Sequence, residues 1–301
     1  MPELPDVTVY VEALRQRLLG ATLKSTRIPH PFLLRTFDPP ITFLWGRRVS
    51  AIERVGKRVA IGFDADLWLV VHLMIAGRLH WFAAEGPRPR HSVLAAFEFD
   101  AGTLTLTEAG TRRRASLFVF SSREQLARHD PGGLEVLDCP YDAFRRRLLI
   151  GNHTLKRALT DPRAFSGIGN AYSDEILHRA KLSPIALTQR LDEPAIKVLY
   201  EAVRTVLQEW VDRLRAQAQT EFPTGVTAFR PGMAVHGRFG QPCPVCGTSV
   251  QRIRYAGSET NYCPRCQTAG KVLADRSLSR LLKDDWPRTI EEMEEPRPRN
   301  T

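Results

Sequence analysis

The chain of 301 residues carries 43 Lys and Arg against 33 Asp and Glu, a formal net charge of +10, and 43% of its residues are hydrophobic. This composition excludes a wholly disordered or collagen-like chain, and the length favours two domains, because single cores stop growing at about 250–300 residues. No apolar run approaches the roughly 20 residues of a membrane span. The start, MPELPD, lacks the regions of a secretory signal, so we expect a soluble, cytoplasmic protein.

The charge is distributed unevenly along the chain. From Asp284 to the C-terminus six acidic residues stand against three arginines, which leaves a net charge of −3 there and +13 in the first 283 residues. A basic body with a pI near 9.7 is typical of proteins that bind nucleic acid, although many basic proteins bind none.

The first predicted element is a helix over residues 5–20. Pro5 suits the first turn of a helix, Asp6 complements the positive end of its dipole, and Gly20 is a stop signal. The apolar residues between them recur with helical spacing and define one face: Val7, Tyr10, Val11, Leu14 and Leu18.

From about Thr22 to Ser121 the pattern predicts short strands separated by turn residues. The clearest strands cover residues 59–63, 67–72, 94–99 and 103–107. Short strands of this kind form an antiparallel sandwich or barrel.

After Pro131-Gly132-Gly133 the pattern becomes helical, with helices predicted over 141–150, 154–160, 171–180 and 193–219. Residues 221–242 are rich in Gly, Pro and Phe and are predicted to form a loop. The acidic tail is predicted to be loosely ordered. The fold class is therefore α+β, a β-sandwich followed by a helical part.

Two Cys-x-x-Cys pairs lie late in the chain, sixteen residues apart: Cys243 and Cys246, then Cys263 and Cys266. This spacing predicts two knuckles that present four thiolates to one tetrahedral Zn²⁺. Four protein ligands leave no open position, so the zinc is expected to be structural. A redox role is the competing interpretation of a single pair, but redox motifs do not normally come as two spaced pairs. Between the pairs, residues 251–255 predict a basic strand that faces either solvent or DNA.

Two further segments point to chemistry. Gly167-Ile-Gly169-Asn170 precedes a predicted helix, so its backbone amides can bind an anion such as a DNA phosphate; a plain turn is the competing interpretation. The chain start offers a candidate nucleophile. The initiator methionine is normally removed when proline follows it, so Pro2 would become the N-terminal residue. Its secondary amine would be less basic than a lysine and able to attack a sugar C1′. Glu3 could serve as acid or base, although Pro-Glu-Leu-Pro also suits a stiff lead-in to a helix.

Three motifs in this order resemble the formamidopyrimidine-DNA glycosylase and endonuclease VIII family: the start Met-Pro-Glu-Leu-Pro-Asp, the segment 167–177, and the cysteine pairs preceded by residues 236–243. The resemblance implies an N-terminal catalytic helix with a β-sandwich over 1–130, a helix–two-turns–helix (H2TH) domain over 131–235 and a zinc finger over 236–270. Beyond the part that resembles the family, residues 271–301 are expected to form a charged extension. The resemblance further implies that the chain is a monomer that flips a damaged base out of double-stranded DNA.

The resemblance also implies roles for individual residues. Pro2 would be the nucleophile that displaces the base and forms a Schiff base, Glu3 the acid/base, and Lys57 a phosphate contact that assists strand cleavage by β-elimination. The implied DNA contacts are His91, Arg113, Lys156 and Asn170, and the implied zinc ligands are the four paired cysteines.

The chain departs from the family pattern at several positions. Residues 257–262 lack the arginine that the family carries on its finger hairpin, and Ile75 stands where the family has a wedge methionine. The triplet Arg112-Arg113-Arg114 lacks the aromatic wedge residue, and Asp6 replaces the more common glutamate. These changes bear more on which lesion is recognised, and on whether a second (δ) elimination follows the β-elimination, than on formation of the Schiff base.

The primary hypothesis is therefore a base-excision DNA glycosylase with abasic-site (AP) lyase activity. The alternative is a catalytically weak or inactive protein of the same fold that binds damaged DNA. A third possibility, an RNA-binding zinc protein, accounts for the charge and cysteines but not for the N-terminus.

Overall fold

The computed structural model describes residues 1–84, 93–109, 113–218, 221–224, 230–255, 258–274 and 287–294. The chain forms two compact units, Met1–Gly133 with Gln208–Ala228, and Leu134–Leu207 with Phe229–Thr301. We call them the first and the second unit and describe each by itself. None of the described helices combines the length and apolar character that a membrane crossing requires.

The first unit begins with helix α1 (Leu4–Leu18), as predicted. Glu3 and Asp6 form a reciprocal capping box: the Glu3 N–H donates to the Asp6 carboxylate at 2.8 Å, and the Glu3 side chain accepts from the Asp6 N–H. Asp6 therefore does more than complement the helix dipole, since it also satisfies an N–H group at the helix start. Gly20 follows with a φ of 81°, in the left-handed region that glycine tolerates.

Two four-stranded antiparallel sheets follow α1. The strands are β1 (Leu23–Arg27), β2 (Val49–Val55), β3 (Arg58–Phe63), β4 (Trp68–His72), β5 (Gly77–Ala83), β6 (Val93–Phe99), β7 (Gly102–Glu108) and β8 (Ser116–Phe120). One sheet has the order β1-β6-β7-β5, and the other has the order β2-β3-β4-β8. Helix α2 (Arg123–His129) comes after β8.

Residues from both sheets and from α1 share one core, which confirms the predicted sandwich. The alternating residues Val59 and Ile61 of β3 meet Phe97 of β6 and Leu104 of β7, and Leu14 of α1 joins them. All five are buried, because alternate side chains of each strand face the same side of its sheet.

The second unit is helical before its cysteine pairs. It contains α3 (Tyr141–Leu148), α4 (Leu155–Thr160), α5 (Asn170–Arg179) and the part of α6 (Glu193–Gln217) up to Leu207. The Thr154 hydroxyl caps α4 by accepting from the Arg157 N–H, and Gly169 is the N-cap of α5. The α+β fold class is thus confirmed.

A hairpin of β9 (Gln251–Tyr255) and β10 (Ser258–Tyr262) precedes α7 (Pro264–Thr268), and α8 (Ile290–Glu294) lies in the tail. The expectation of a loosely ordered tail is wrong for its described residues. Lys271 and Thr289 form an antiparallel bridge, the Val272 N–H donates to the Arg288 carbonyl at 2.9 Å, and Ile290 is 2% exposed. An apolar anchor and backbone pairing therefore hold this part of the tail to the end of the finger.

Candidate active site and zinc centre

The start of the chain is enclosed within the first unit. Pro2 is buried and Glu3 is only 2% exposed. Burial lowers the pKa of the Met1 amine from its usual 8.0; the charges of Glu3 and Asp6 oppose this, whereas Arg78 and Lys57 add to it. The terminus therefore lies within electrostatic reach of Lys57 and of Arg78 on β5, and sequence reasoning missed Arg78.

One end of the sheet β2-β3-β4-β8 collects three loops. Lys57 lies in the two-residue turn between β2 and β3, rather than within a strand. The register pairs Arg58 with His72 and His72 with Ser116, so the β2–β3 turn, the end of β4 and the start of β8 meet at this end. We call this end, which carries Lys57, Ile75 and Arg113, the loop end of the sheet.

The turn after β4 presents Ile75 to solvent. Gly77 closes the turn by donating its N–H to the Leu73 carbonyl at 2.9 Å, and a Cβ at this position would clash with that oxygen. Met74 adopts a φ of 51°, and Ile75 is 57% exposed. Ile75, and not Met74, therefore provides the apolar tip of this turn.

His72, at the same end, is a titratable residue that the sequence did not single out. Burial lowers its pKa to about 4, assisted by the charges of Arg58, Lys57 and His129. His72 is therefore neutral at physiological pH and can donate a hydrogen bond to a phosphate without adding charge.

In the second unit the two predicted phosphate ligands lie together. The Lys156 ammonium donates to the Asn170 carbonyl at 2.7 Å and to the Asp174 carboxylate at 2.5 Å. The other Asp174 oxygen lies 2.7 Å from Nδ1 of His236. Asp174 is fully buried, so it holds α4, α5 and the segment before the finger in one charged network.

Glu175, the next residue, fixes the same segment. Its carboxylate accepts from the backbone N–H groups of Ala234, Val235 and His236 at 2.7–2.9 Å. Sequence reasoning placed Asp174 and Glu175 in a family motif without assigning roles to them. Only the fold shows that both carboxylates face a segment some sixty residues further along the chain.

The finger hairpin carries its basic residues on β9. Glu259 on β10, in the stretch that lacks the family arginine, accepts from Arg254 at 3.0 Å and from Arg252 at 3.5 Å. The backbone carbonyl of Glu259 accepts from the Asn170 side chain at 2.7 Å. The positive charges of the two arginines therefore exceed the negative charge of Glu259. Asn170 connects the start of α5 to the hairpin.

The four paired cysteines converge, with their sulfur atoms all within 4.8 Å of one another. Soft thiolates in a tetrahedral set of four suit zinc, so the cluster fits one structural Zn²⁺ held by Cys243, Cys246, Cys263 and Cys266. Nε2 of the buried His178, on α5, lies 3.3 Å from the Cys243 sulfur, and burial lowers the pKa of this histidine. His178 is outside the cluster of four and therefore acts as an outer hydrogen-bonding partner of Cys243.

Arg113, exposed at the loop end, has its NH1 2.6 Å from Nε2 of His30. His91 lies outside the described residues. In the first unit the Met1 amine, next to Pro2 and Glu3, thus lies within electrostatic reach of Lys57. In the second unit Lys156 contacts Asn170.

Comparison with known proteins agrees with this architecture. Residues 1–117 match the formamidopyrimidine-DNA glycosylase N-terminal domain, residues 135–221 its H2TH domain, and residues 240–269 the zinc finger found in FPG and IleRS. The formamidopyrimidine-DNA glycosylase of Heliobacterium modesticaldum is 34% identical over 284 residues, which cover 89% of this chain and all of the relative.

Solved structures show the same likeness. The MutM (Fpg) protein of Thermus thermophilus is 33% identical with a TM-score of 0.75, covering 88% of this chain and 98% of that one. The Lactococcus lactis Fpg, in a complex with DNA containing an abasic site, is 26% identical with a TM-score of 0.77, covering 88% of this chain and 99% of that one. The chain belongs to the formamidopyrimidine-DNA glycosylase family, whose members are DNA glycosylases with AP lyase activity.

Proposed function

We propose that this chain is a base-excision-repair DNA glycosylase and AP lyase that acts on double-stranded DNA through the amine of Pro2. The observation that carries the proposal is the enclosed chain start. Pro2 and Glu3 are buried, and burial lowers the pKa of the Met1 amine next to Pro2. A Pro2 amine buried in the same segment after removal of Met1 would be uncharged, and so nucleophilic, for a larger fraction of the time than one in water.

In the proposed reaction, the Pro2 nitrogen attacks C1′ of the flipped-out nucleotide, and the bond from C1′ to the base breaks. The departing base takes the electron pair of that bond together with the proton released from the Pro2 amine. Glu3 donates a proton to the ring oxygen as the sugar opens, which leaves an iminium between Pro2 and C1′. A base then removes a proton from C2′, and the 3′ phosphate leaves with the electron pair. Water releases the sugar remnant and regenerates the amine.

The other residues would bind rather than react. Lys57 at the loop end would hold a phosphate near C1′, and Lys156 and Asn170 would hold phosphates from the second unit. Lys156 already donates to Asp174 and to Asn170, so its ammonium is held in position before DNA arrives. His91 and Arg113 complete the proposed DNA contacts, and the zinc finger adds a basic hairpin. We further infer that the protein works in the cytoplasm, on nucleoid DNA.

Borohydride trapping on duplex DNA with an abasic site tests the nucleophile. The wild-type protein should form a covalent adduct, and Pro2→Gly should reduce its yield greatly because a primary glycine amine replaces the ring nitrogen. Pro5→Ala, in the first turn of the same helix, is the matched control and should trap normally. Intact mass should show that Met1 has been removed. A Pro2→Gly variant that traps as well as wild type would disprove the assignment.

The lowered pKa gives a second test of the same amine. Burial lowers the pKa of the Met1 amine from 8.0, and the Pro2 amine that removal of Met1 would expose belongs to the same buried segment, so the trapping rate should reach half its plateau below pH 8. A half-maximum at or above pH 8 would contradict the enclosed site.

A second candidate function is a damage-binding protein without turnover. It is supported by Glu259, which lies on the hairpin in the stretch without the expected arginine. This candidate predicts tight binding to abasic-site DNA with no trapped adduct, so the borohydride experiment separates the two.

A further inference from the structure

The C-terminal extension has no role in the proposed function. The match to the family's zinc finger ends at residue 269, so residues 270–301 lie beyond the matched part of the chain. The described part of this extension, residues 287–294 with α8, nevertheless pairs with the segment that leaves the finger. An added segment that returns to a metal site is a candidate for control of that site.

The extension returns to the finger as one side of a short antiparallel pair. The bridge between Lys271 and Thr289 lies at its centre. On one side of the bridge the Ile290 N–H donates to the Gly270 carbonyl at 3.1 Å, and on the other side lies the hydrogen bond from the Val272 N–H described above. Backbone hydrogen bonds therefore hold the extension to the residues that directly follow α7.

Ile290 anchors this pair with its side chain. It is 2% exposed, and its Cδ1 lies 4.0 Å from the position that a Cβ on Gly270 would occupy. Thr289 and Glu292 fix the start of α8: the Glu292 N–H donates to the Thr289 hydroxyl at 3.3 Å, and the Glu292 carboxylate accepts from the Arg288 N–H at 2.7 Å. The extension thus has a helix cap and a buried contact of its own.

The paired segment is joined to the zinc ligands through Tyr262. The Leu273 N–H donates to the Tyr262 hydroxyl at 2.7 Å, and the Tyr262 side chain is fully buried. Tyr262 ends β10 and directly precedes the zinc ligand Cys263, whose N–H donates to the Gln267 side chain at 2.8 Å. A displacement of the paired segment would therefore reach the third zinc ligand through a single side chain.

The strand β10 also reaches a proposed phosphate ligand. Near its start, the Glu259 carbonyl accepts from the Asn170 side chain at 2.7 Å. The finger has a small apolar core of its own, in which Val235 and Val250 pack with the cysteines. Because a core of this size contributes little stability and the metal supplies much of the rest, contacts from outside the finger should matter for its integrity.

We propose that residues 287–292 are a strap that holds β10 in place, and that the strap thereby retains the zinc ion and keeps Asn170 in its DNA-binding position. The effect on zinc is independent of the proposed function, whereas the effect on DNA binding rests on it. The strap acts through the backbone pair beside Lys271 and through the buried side chain of Ile290.

Zinc release from the full-length, zinc-loaded protein to a colorimetric chelator tests the strap without DNA. Ile290→Ala should accelerate release by at least about tenfold, because truncation of a buried isoleucine removes apolar contacts and leaves a cavity. In amide hydrogen exchange, peptides from β10 should lose protection in this variant, while peptides from α3 (Tyr141–Leu148) should keep it.

Two variants serve as controls. Ile290→Val keeps most of the buried side chain and should release zinc at close to the wild-type rate, which links the effect to the anchor. Glu291→Gln changes the neighbouring exposed residue of α8 and should behave like wild type in every measurement.

DNA binding is measured by fluorescence anisotropy in buffer with excess zinc, on a duplex that contains a stable tetrahydrofuran abasic analogue. Ile290→Ala should bind this duplex at least about fivefold more weakly than wild type, which is the lower end of the usual coupling between separate sites. Excess zinc keeps the metal bound, so the loss reports the position of β10 and Asn170.

Two results would overturn the proposal: zinc release from Ile290→Ala at the wild-type rate, or faster release with unchanged affinity for the abasic duplex. Failure of the proposed function would be seen separately, as absence of a borohydride adduct with wild-type protein. That failure leaves the zinc-release and exchange measurements intact, because neither involves DNA.

Discussion

Replacement of Asp174 by alanine should destabilise the second unit more than any surface substitution. The Asp174 side chain is fully buried and accepts from Lys156 at 2.5 Å and from His236 at 2.7 Å. Removing one partner of a buried ion pair costs about 3–5 kcal/mol, because the other charge remains out of water. Loss of the acceptor for the His236 ring adds roughly 1–3 kcal/mol, since that buried nitrogen is then unsatisfied.

The expected loss is therefore about 4–6 kcal/mol, because the two contributions share one relaxed site and do not add fully. Lys156 is 13% exposed, so water can stabilise its ammonium only in part. Asp174→Asn keeps the size and one acceptor oxygen, and it should lose less. Adding Lys156→Met to Asp174→Asn should recover part of the loss, because no buried charge then lacks a counter-ion.

Amide hydrogen exchange followed by mass spectrometry measures this loss of stability segment by segment in the zinc-loaded protein. Peptides from α5 (Asn170–Arg179) should exchange at least about a thousandfold faster in Asp174→Ala, which corresponds to roughly 4 kcal/mol of opening free energy. Asp142→Ala, an exposed acid in the first turn of α3, is the matched control and should cost less than about 1 kcal/mol. Protection of α5 within about 1 kcal/mol of wild type in Asp174→Ala would refute the reasoning.

Other predictions concern the zinc centre and the loop end. His178→Phe should accelerate zinc release to a colorimetric chelator, because the hydrogen bond to Cys243 is lost; unchanged release would contradict that role. Complete zinc removal, or the variant Cys263→Ser, should unfold the finger and weaken DNA binding. Gel analysis should show that the cleavage product is unchanged. The folded-state pKa of His72, about 4, lies below the unfolded value near 6.5. Stability should thus fall by up to about 3 kcal/mol as pH falls from 6.5 to 4, and His72→Gln should reduce this loss in urea titrations.

Local patterns in the sequence were sufficient to predict most of the secondary-structure elements and the zinc ligands. The helix over α1 and the strands 59–63, 94–99 and 103–107 were predictable because period-two and period-3.6 patterns record which face is buried. The cysteine spacing was sufficient for zinc because two knuckles are local structures. The domain limits at residues 130, 235 and 270 and the roles of Pro2, Glu3 and Lys57 stay predictions.

What the sequence by itself determined was therefore local: helix starts, strand alternation, thiolate pairs and a proline behind an initiator methionine. Only the tertiary structure decided which distant groups meet. It buried Asp174 between Lys156 and His236, and it paired Ile290 with Gly270. Such contacts depend on strand register and helix packing, which arise from the whole chain's burial of apolar surface, and no short window of sequence records them.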